Sequence, residues 1–283
     1  MLEAVIGEKY LVVNADDFGI DTRINSGIAH ACRAGIVRSV SVVAGGQKFN
    51  EALDLIKDLP GIGVGVHLCL VAEKPVLPSV NLPSLVGKDG CLHPSYRHFL
   101  LRLCTGRIDL REVELELESQ ITKVMAKGIR PTHLDSHQYV HLFPDILDVV
   151  VRLAVKYGIK WIRYPGRLNG GARFTCRGAL KKSWLLFSAQ AQMQKINKNG
   201  VHFPDFSYAV EQSGHLEKRV LKACLGRLNE GVNDITCHPG FSPDNMAYAR
   251  WGYRWEGESA ALTDPDIIQM VIASKVTLGN YAC

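Results

Sequence analysis

Apolar runs rich in Val and Ile alternate along the chain with longer segments of helical periodicity. Such runs predict buried strands, and apolar residues spaced by three and four predict amphipathic helices. The predicted strands are residues 10–13, 37–43, 62–66, 132–137, 160–163, 234–238 and 276–278, and the predicted helices are residues 24–34, 50–59, 110–127, 144–157, 217–229 and 264–274. Repeated strand–helix units in a single domain predict an α/β fold, either a barrel or a doubly wound sheet.

Two stretches interrupt this alternation. Residues 71–108 are rich in Pro and Gly and predict a long insertion, and such loops are usually lids or pocket walls. Residues 165–205 carry little pattern, apart from Arg173, Arg177 and Lys181 at a spacing of four. That spacing predicts either a basic helix on an anionic membrane surface or a core-facing helix with a solvated basic side.

Four of the predicted strands end in side chains that bind metals or transfer protons. Asp16 and Asp17 follow the first strand, and His67, His137 and His238 lie at the ends of three others. The carboxyl ends of parallel strands form one face of a sheet or barrel, so these residues predict a single site. The acidic pair alone is also typical of a plain turn. Adjacent carboxylates resist joint ionisation without nearby positive charge, which a divalent metal bound to one of them supplies.

The bulk properties fit a globular enzyme. At 283 residues, the chain is long enough for one large α/β barrel or two small domains. A net charge of +5, without Lys/Arg runs interleaved with aromatics, argues against nucleic-acid binding. The N-terminus lacks the pattern of a signal peptide, and no apolar stretch approaches a membrane span. Eight scattered cysteines without a Cys-x-x-Cys pair favour reduced thiols in the cytoplasm.

The polar strand ends resemble the motifs of a known family. These motifs are Asn-Ala-Asp-Asp-Phe-Gly at 14–19, Gly-Val-His-Leu at 65–68, Thr-His-Leu-Asp-Ser-His at 132–137 and Cys-His-Pro-Gly at 237–240. In this order, over residues 10–240, they are similar to those of the YdjC-like carbohydrate deacetylases. That family includes chitooligosaccharide deacetylases and a hopanoid-biosynthesis branch, whose N-terminal half this chain resembles closely. The resemblance implies a single-domain, irregular (β/α) barrel of the polysaccharide-deacetylase-like type, and a metal-dependent homodimer.

Carried over position by position, the resemblance implies that Asp17, His67 and His137 bind one divalent metal ion, Mg²⁺ or Zn²⁺. Asp16 is then the general base and His238 the general acid. One carboxylate and two imidazoles leave coordination positions for water and a substrate oxygen. The implied reaction removes the N-acetyl group of an acetylated amino sugar, oligosaccharide or glycolipid and releases acetate.

The chain departs from the family pattern at Tyr139, where a histidine is frequent. We expect Tyr139 to shape the pocket and alter substrate preference. Arg163 is expected to contact the sugar, although it also fits a plain strand-to-loop junction. His141 lies four residues after His137, so it is either an outer neighbour of the site or, if the backbone turns helical, a ligand in place of His67.

Other residues near the predicted site carry weaker signals. Asp135 and His133 alternate with His137 along one strand and share its face. Asp135 is expected to orient a metal-bound imidazole, and His133 to be structural. Trp251 and Trp255 either stack on a sugar or cover the barrel.

Two other functions are compatible with these residues. A metal-dependent phosphoesterase would need ligands for a second metal or a basic clamp, for which Arg163 is the candidate. A non-catalytic carbohydrate-binding protein has no need of both a base and an acid, and this chain carries both. A glycolipid substrate would suit the basic segment at 173–181 and would bring peripheral membrane contact.

Overall fold

The computed structural model describes residues 8–165, 167–168 and 192–282. The strands are β1 (Lys9–Phe18), β2 (Ser39–Val42), β3 (Gly63–Leu68), β4 (His133–Ser136), β5 (Trp161–Ile162), β6 (Arg167–Leu168), β7 (Phe206–Tyr208), β8 (Gly231–Cys237) and β9 (Thr277–Gly279). The helices are α1 (Thr22–Ala34), α2 (Phe49–Lys57), α3 (Tyr96–Cys104), α4 (Leu110–Met125), α5 (Pro144–Lys156), α6 (Lys218–Leu225), α7 (Met246–Ala249), α8 (Trp255–Leu262) and α9 (Pro265–Ala273). Residues 192–198 are also helical.

The strands form one parallel sheet in the order β5-β4-β3-β2-β1-β8-β7-β6, and β9 pairs with the first half of β1. The two ends of this order, β5 and β6, are consecutive in the chain, and no pairing joins them within the described ranges. Arg163, just after β5, nevertheless bonds to Asp16 on β1 across three intervening strands. The sheet therefore curls into a half-barrel with helices around it, which confirms the predicted irregular (β/α) barrel.

Side-chain alternation along β1 separates the inside of the half-barrel from the outer core. Leu11 and Val13 pack in the large core between the sheet and the helices. Val12 belongs instead to a small inner cluster with Trp161, Val232 and Tyr281. Because alternate residues share a face, Asn14 and Asp16 continue the inner side above Val12. The inside is thus apolar at the amino ends of the strands and polar at their carboxyl ends.

The segment after β3 is irregular, as expected, but it is held in place by one helix. On α4, Gln120 bonds to the backbone N–H and C=O of Cys69 at 2.8 and 2.7 Å. One turn earlier, Glu116 accepts from the backbone N–H groups of residues 76 and 77, and another turn earlier Glu112 accepts from Ser84. These three polar residues, spaced by four, form a stripe that hydrogen-bonds to the backbone of this segment, whose own pairing is limited to isolated β-bridges. Helix α3, within the same segment, was not predicted.

Candidate active site

A β-bulge in β1 turns two neighbouring carboxylates toward the same side of the sheet. The three steps from Ala15 to Phe18 on β1 match only two steps on β2, so Asp16 and Asp17 together face one residue. Asp17 has a φ of 66°, a left-handed conformation that is uncommon outside glycine. In a regular strand, Asp17 would point toward the outer core. The bulge instead delivers both buried carboxylates to the inside of the half-barrel.

Asp17 meets His67 and His137 at the carboxyl end of the sheet. Its Oδ1 lies 3.4 Å from His67 Nε2 and 3.0 Å from His137 Nδ1. One ligand atom from each of the three residues lies within 4.8 Å of the others. Asp17 Oδ2 and His137 Nε2 are buried, and neither has a hydrogen-bond partner among the described residues. A carboxylate and two imidazoles with unpartnered buried atoms fit a divalent cation.

The charges around this trio also favour a cation. Burial raises the pKa of Asp17, but His137 and His67 outweigh burial and hold that pKa well below its usual range. Burial lowers the pKa of His67, whereas the carboxylates of Asp135 and Asp16 raise it to about 10. The carboxylates around His67 therefore favour positive charge at this point, and a bound cation would supply it.

Asp135 fixes the orientation of His67. Its Oδ1 lies 2.8 Å from His67 Nδ1, which leaves His67 Nε2 directed toward Asp17. Its Oδ2 accepts a hydrogen bond from Ser41 Oγ at 2.6 Å and lies 3.1 Å from Arg163 Nη2. A carboxylate on the outer nitrogen of a histidine selects the tautomer that presents the other nitrogen to a metal.

Arg163 does not face the cavity, contrary to the expectation that it contacts the sugar. Its side chain is 1% exposed, and its Nη1 and Nη2 donate to the two oxygens of Asp16, the second at 2.6 Å. Asn14 Nδ2 donates to the same carboxylate at 2.9 Å. Because its Nη1 and Nη2 are engaged by Asp16 and Asp135, and because it is not among the described residues that line the cavity, Arg163 fixes these carboxylates and does not reach the cavity.

His238 follows β8 on another side of Asp16. Its Nε2 lies 3.8 Å from Asp16 Oδ2 and 3.4 Å from Ser213 Oγ, and its backbone N–H donates to Glu258. Burial lowers the pKa of His238, while Asp16 and Asp17 act to raise it. Helix α1 packs closely behind this turn, since a Cβ at Gly27 would lie 2.3 Å from the Cα of residue 240.

A cavity of about 230 Å³ opens above these side chains. Its walls are Asp16, His67, Tyr96, Ser136, His137, Gln138, Tyr139, Val210, Glu211, Ser213, His238 and Tyr253. A group bound there would contact Asp16, His238 and two of the metal-capable residues together. No Lys or Arg is among these described lining residues.

The wall after β4 has an unusual backbone. Gln138 and Tyr139 have φ values of 55° and 57°. The Tyr139 hydroxyl lies 3.3 Å from Thr236 Oγ1, and the guanidinium carbon of Arg163 lies 5.8 Å from the Tyr139 ring centre. Tyr139 therefore borders the cavity with its ring held from two sides.

His141 turns away from the trio. Its Nδ1 bonds to Ser136 Oγ, and its Nε2 lies 3.2 Å from the carbonyl oxygen of Arg163. Burial lowers the pKa of His141 to about 4. Within the described ranges, neither group of residues close enough to hold a metal includes it. This arrangement does not support His141 as a ligand in place of His67.

Several residues at the site were not predicted. Glu258 accepts from the backbone N–H of Leu216 at 2.9 Å as well as from that of His238, and burial raises its pKa to about 7. Tyr253 packs edge-on against the His238 ring at 4.9 Å. Glu73 is buried near His137, and burial raises its pKa to about 7. The one sequence signal for Glu73 was its place in the irregular segment after His67.

The remaining candidate residues lie at the edge of the site or outside the residues that the structure describes. Trp255 is 3% exposed and covers the barrel, whereas Trp251 packs on His137 with ring centres 5.0 Å apart. Arg173, Arg177 and Lys181 lie outside the described residues. Among the helices that are described, none has the length and hydropathy to cross a bilayer.

Known proteins are similar to this chain in sequence and fold. A carbohydrate deacetylase from Thermoanaerobacter pseudethanolicus is 30% identical, over 97% of this chain and 98% of its own. A chitooligosaccharide deacetylase from Escherichia fergusonii is 29% identical, over 97% and 98%. A crystal structure from Enterococcus faecalis, provisionally described as a cellobiose-phosphate cleavage protein, superposes with a TM-score of 0.77 and 26% identity, over 97% and 98%. The model of the YdjC-like protein family matches residues 10–273, and the chain belongs to that family.

Proposed function

We propose that this protein is a metal-dependent carbohydrate deacetylase that hydrolyses the N-acetyl group of an amino sugar. The observation that carries the proposal is the convergence of Asp17, His67 and His137 on one point, beside Asp16 and His238 in one cavity. Two full-length relatives bear the names of carbohydrate and chitooligosaccharide deacetylases.

In this proposal, Asp17, His67 and His137 hold the divalent cation. The cation, when bound, polarises the amide carbonyl and lowers the pKa of a water molecule. Asp16, fixed by Arg163, would accept a proton from the attacking water as the water oxygen adds to the acetyl carbon.

His238 completes the reaction on the leaving group. Its Nε2 lies 3.8 Å from Asp16 Oδ2, and although burial lowers the pKa of His238, the carboxylates of Asp16 and Asp17 act against that lowering. It hands a proton to the sugar nitrogen as the C–N bond breaks, since an amine anion is a poor leaving group. The products are acetate and a free amino sugar.

The phosphoesterase alternative is less well supported. It requires a basic clamp for the phosphate, and the described cavity walls contain no Lys or Arg. The second group close enough to hold a metal consists of Asp16, His67 and Asp135, and Arg163 already occupies both of its carboxylates.

The proposal also covers the identity of the metal, the cellular compartment, the oligomeric state and membrane contact. The cation is Mg²⁺ or Zn²⁺, which metal analysis of the purified protein distinguishes. We also propose a cytoplasmic homodimer, with light scattering as the test of assembly. Peripheral membrane contact would accompany a lipid-linked sugar substrate, and vesicle co-sedimentation tests it.

Acetate release is the direct test of the activity. The metal-loaded protein is assayed on N-acetylglucosamine, chitooligosaccharides and an N-acetylated glycolipid mimic. We expect acetate from at least one of them, loss after chelator treatment and recovery on adding metal back. A metal-loaded protein that releases none, but hydrolyses a phosphoester, would overturn the proposal.

A further inference from the structure

The turn that carries His238 is attached to helix α8 by the side chain of Glu258. This carboxylate is buried, and its Oε2 accepts a hydrogen bond from the backbone N–H of His238. Its Oε1 accepts from the backbone N–H of Leu216 at 2.9 Å. Each oxygen thus holds a different segment, one directly after β8 and the other between β7 and α6. Glu258 therefore connects two stretches of backbone that are separated in the sequence by a helix and a strand.

Ser259, the next residue of α8, holds the same turn. Its Oγ donates to the carbonyl oxygen of Gly240 at 2.8 Å and accepts from the N–H of Gly240 at 2.9 Å. Ser259 is buried, as are Trp255, Ala261 and Leu262 on the same helix. Because buried backbone groups need partners, the turn cannot move away from α8 without leaving N–H groups unpaired. Helix α8 is thus the support from which the turn takes its position.

The imidazole of His238 has little other polar support. No described residue hydrogen-bonds to its buried Nδ1. Its Nε2 lies 3.4 Å from Ser213 Oγ and 3.8 Å from Asp16 Oδ2. In a histidine that transfers protons, an acceptor on one ring nitrogen normally fixes the other nitrogen. Because the described residues supply no such acceptor, the place of the ring depends on its backbone and on the Tyr253 ring, which packs edge-on at 4.9 Å.

The second segment held by Glu258 also reaches His238. Ser213 lies three residues before Leu216, lines the cavity and contacts His238 Nε2. Its Oγ also lies 3.4 Å from the Tyr253 hydroxyl. One carboxylate therefore holds the backbone that carries the imidazole and the segment whose side chain contacts that imidazole.

We propose that Glu258 is a positioning residue for His238, with Ser259 in support. It fixes the imidazole at the place from which Nε2 passes a proton to the leaving amine. Glu258 does not reach the substrate itself, since it is not among the described residues that line the cavity. The proposal rests on the function proposed above, in which His238 is the general acid.

Glu258→Gln tests this role with almost no change in volume. The carboxylate uses one oxygen for each N–H, whereas an amide offers one oxygen and an NH₂ group that only donates. Glu258→Gln therefore leaves either His238 or Leu216 without an acceptor. Ser259→Ala is the second variant, because it removes both bonds to Gly240 and keeps the two carboxylate bonds.

The measurements are acetate release from the N-acetylated sugars given above and calorimetric titration with Zn²⁺. We expect Glu258→Gln to lower kcat about 10- to 100-fold, because a small displacement of the acid weakens proton transfer. KM and Zn²⁺ affinity should stay within about threefold of the wild type, since the loss concerns the transition state alone. Ser259→Ala should lower kcat in the same way, but less. Glu256→Gln is the matched control with unchanged kcat, because this exposed carboxylate of α8 accepts from Ser242, outside the described cavity walls.

A double-mutant cycle separates positioning from a general structural role. In the His238→Ala background the acid is absent, so adding Glu258→Gln should lower kcat by less than about twofold. An equal loss in both backgrounds, or wild-type kcat in both Glu258→Gln and Ser259→Ala, would overturn the proposal. If Glu258→Gln does not fold, Ser259→Ala decides in the same cycle. A wild type that releases no acetate and hydrolyses a phosphoester would instead overturn the proposed function, so the two failures are distinguishable.

Discussion

Arg163 and Asp16, 147 positions apart in sequence, meet through two parallel hydrogen bonds inside the half-barrel. The same guanidinium lies 3.1 Å from Asp135, the residue that orients His67. One buried cation therefore connects the proposed base to the support of a proposed metal ligand. A change at Arg163 should disturb both.

Replacing Arg163 by Lys should impair activity more than stability. Lysine keeps the charge but cannot bond to both oxygens of Asp16 in parallel. We expect kcat/KM to fall about 100-fold, because Asp16 would no longer be held at the position from which it accepts a proton from water. We expect the free energy of unfolding to fall by about 2 kcal/mol, because a hydrogen bond to a buried charge is lost. Steady-state kinetics and urea unfolding measure the two effects. Arg152→Lys, in an exposed pair with Glu114, is the matched control. Unchanged kcat/KM in Arg163→Lys would show that Asp16 need not be held this way.

Asparagine substitutions should separate the roles of the two adjacent aspartates. Asp16→Asn should lower kcat by a factor of about 10² to 10⁴ and leave metal affinity within about tenfold, because it removes only the base. Asp17→Asn should weaken metal binding far more, since it removes the negative ligand of the trio. Calorimetry and acetate assays on both variants provide the comparison. The assignment is reversed if Asp16→Asn is the variant that loses the metal.

Asp234→Asn should stabilise the protein above neutral pH. Burial raises the pKa of Asp234 from 3.8 to about 6, although the nearby Arg163 lowers it and Tyr281 donates to its Oδ1 at 2.6 Å. A carboxyl with a raised folded-state pKa contributes stability that is present below pH 3.8 and is lost as pH rises through 6.

The asparagine keeps an acceptor for Tyr281 without titrating. Asp234→Asn should therefore gain up to about 3 kcal/mol over the wild type at pH 8, and almost nothing at pH 4. Urea unfolding at both pH values measures the difference, with Asp89→Asn as an exposed control. An equal gain at pH 4 would mean that ionisation of Asp234 is not the cause.

An alanine at Gly65 should destabilise the inner side of the sheet. A Cβ there would lie 2.3 Å from Cε1 of His133, whose ring is buried and whose Nε2 lies 3.0 Å from Ser41 Oγ. We expect a loss of about 1 to 3 kcal/mol from overpacking.

Gly257→Ala is the matched control for this substitution, because its Cβ meets only Arg254 Cβ at 3.5 Å. In the helix α8 it should gain up to about 1 kcal/mol. Urea midpoints of the two variants should move in opposite directions, and a neutral Gly65→Ala would contradict the packing of His133 described above.

The sequence was sufficient for much of the fold because the long elements have clear periodicity. A helix was predicted over residues 110–127, and in α4 the apolar residues at spacings of three and four, Val113, Leu117, Ile121 and Val124, are all buried. The two-residue strand β6 and the three-residue strand β7 are too short to show a period, and α3 lies within a stretch rich in turn residues. Local patterns of this kind cannot reveal such elements.

The same limit applies to the site. The inward direction of the His67 side chain was predictable, because side chains alternate between the two faces along β3. The inward direction of the Asp17 side chain depends on a β-bulge and on a φ of 66°. No local sequence pattern predicts either feature. The partnership of Arg163 with Asp16 depends on curvature of the whole sheet, so local reasoning directed Arg163 to the substrate instead. Contacts that depend on how distant segments close together lie beyond what periodicity can predict.

The polar stripe of α4 couples local unfolding of the irregular segment after β3 to local unfolding of α4 itself. The amides of residues 69, 76, 77 and 84 have side-chain acceptors on Gln120, Glu116 and Glu112. These amides can exchange with solvent only when the irregular segment detaches from α4 or when α4 itself opens. Hydrogen exchange should therefore show one cooperative unit. The backbone amides of the irregular segment after β3 should be protected to the same degree as those of the sixteen-residue helix α4.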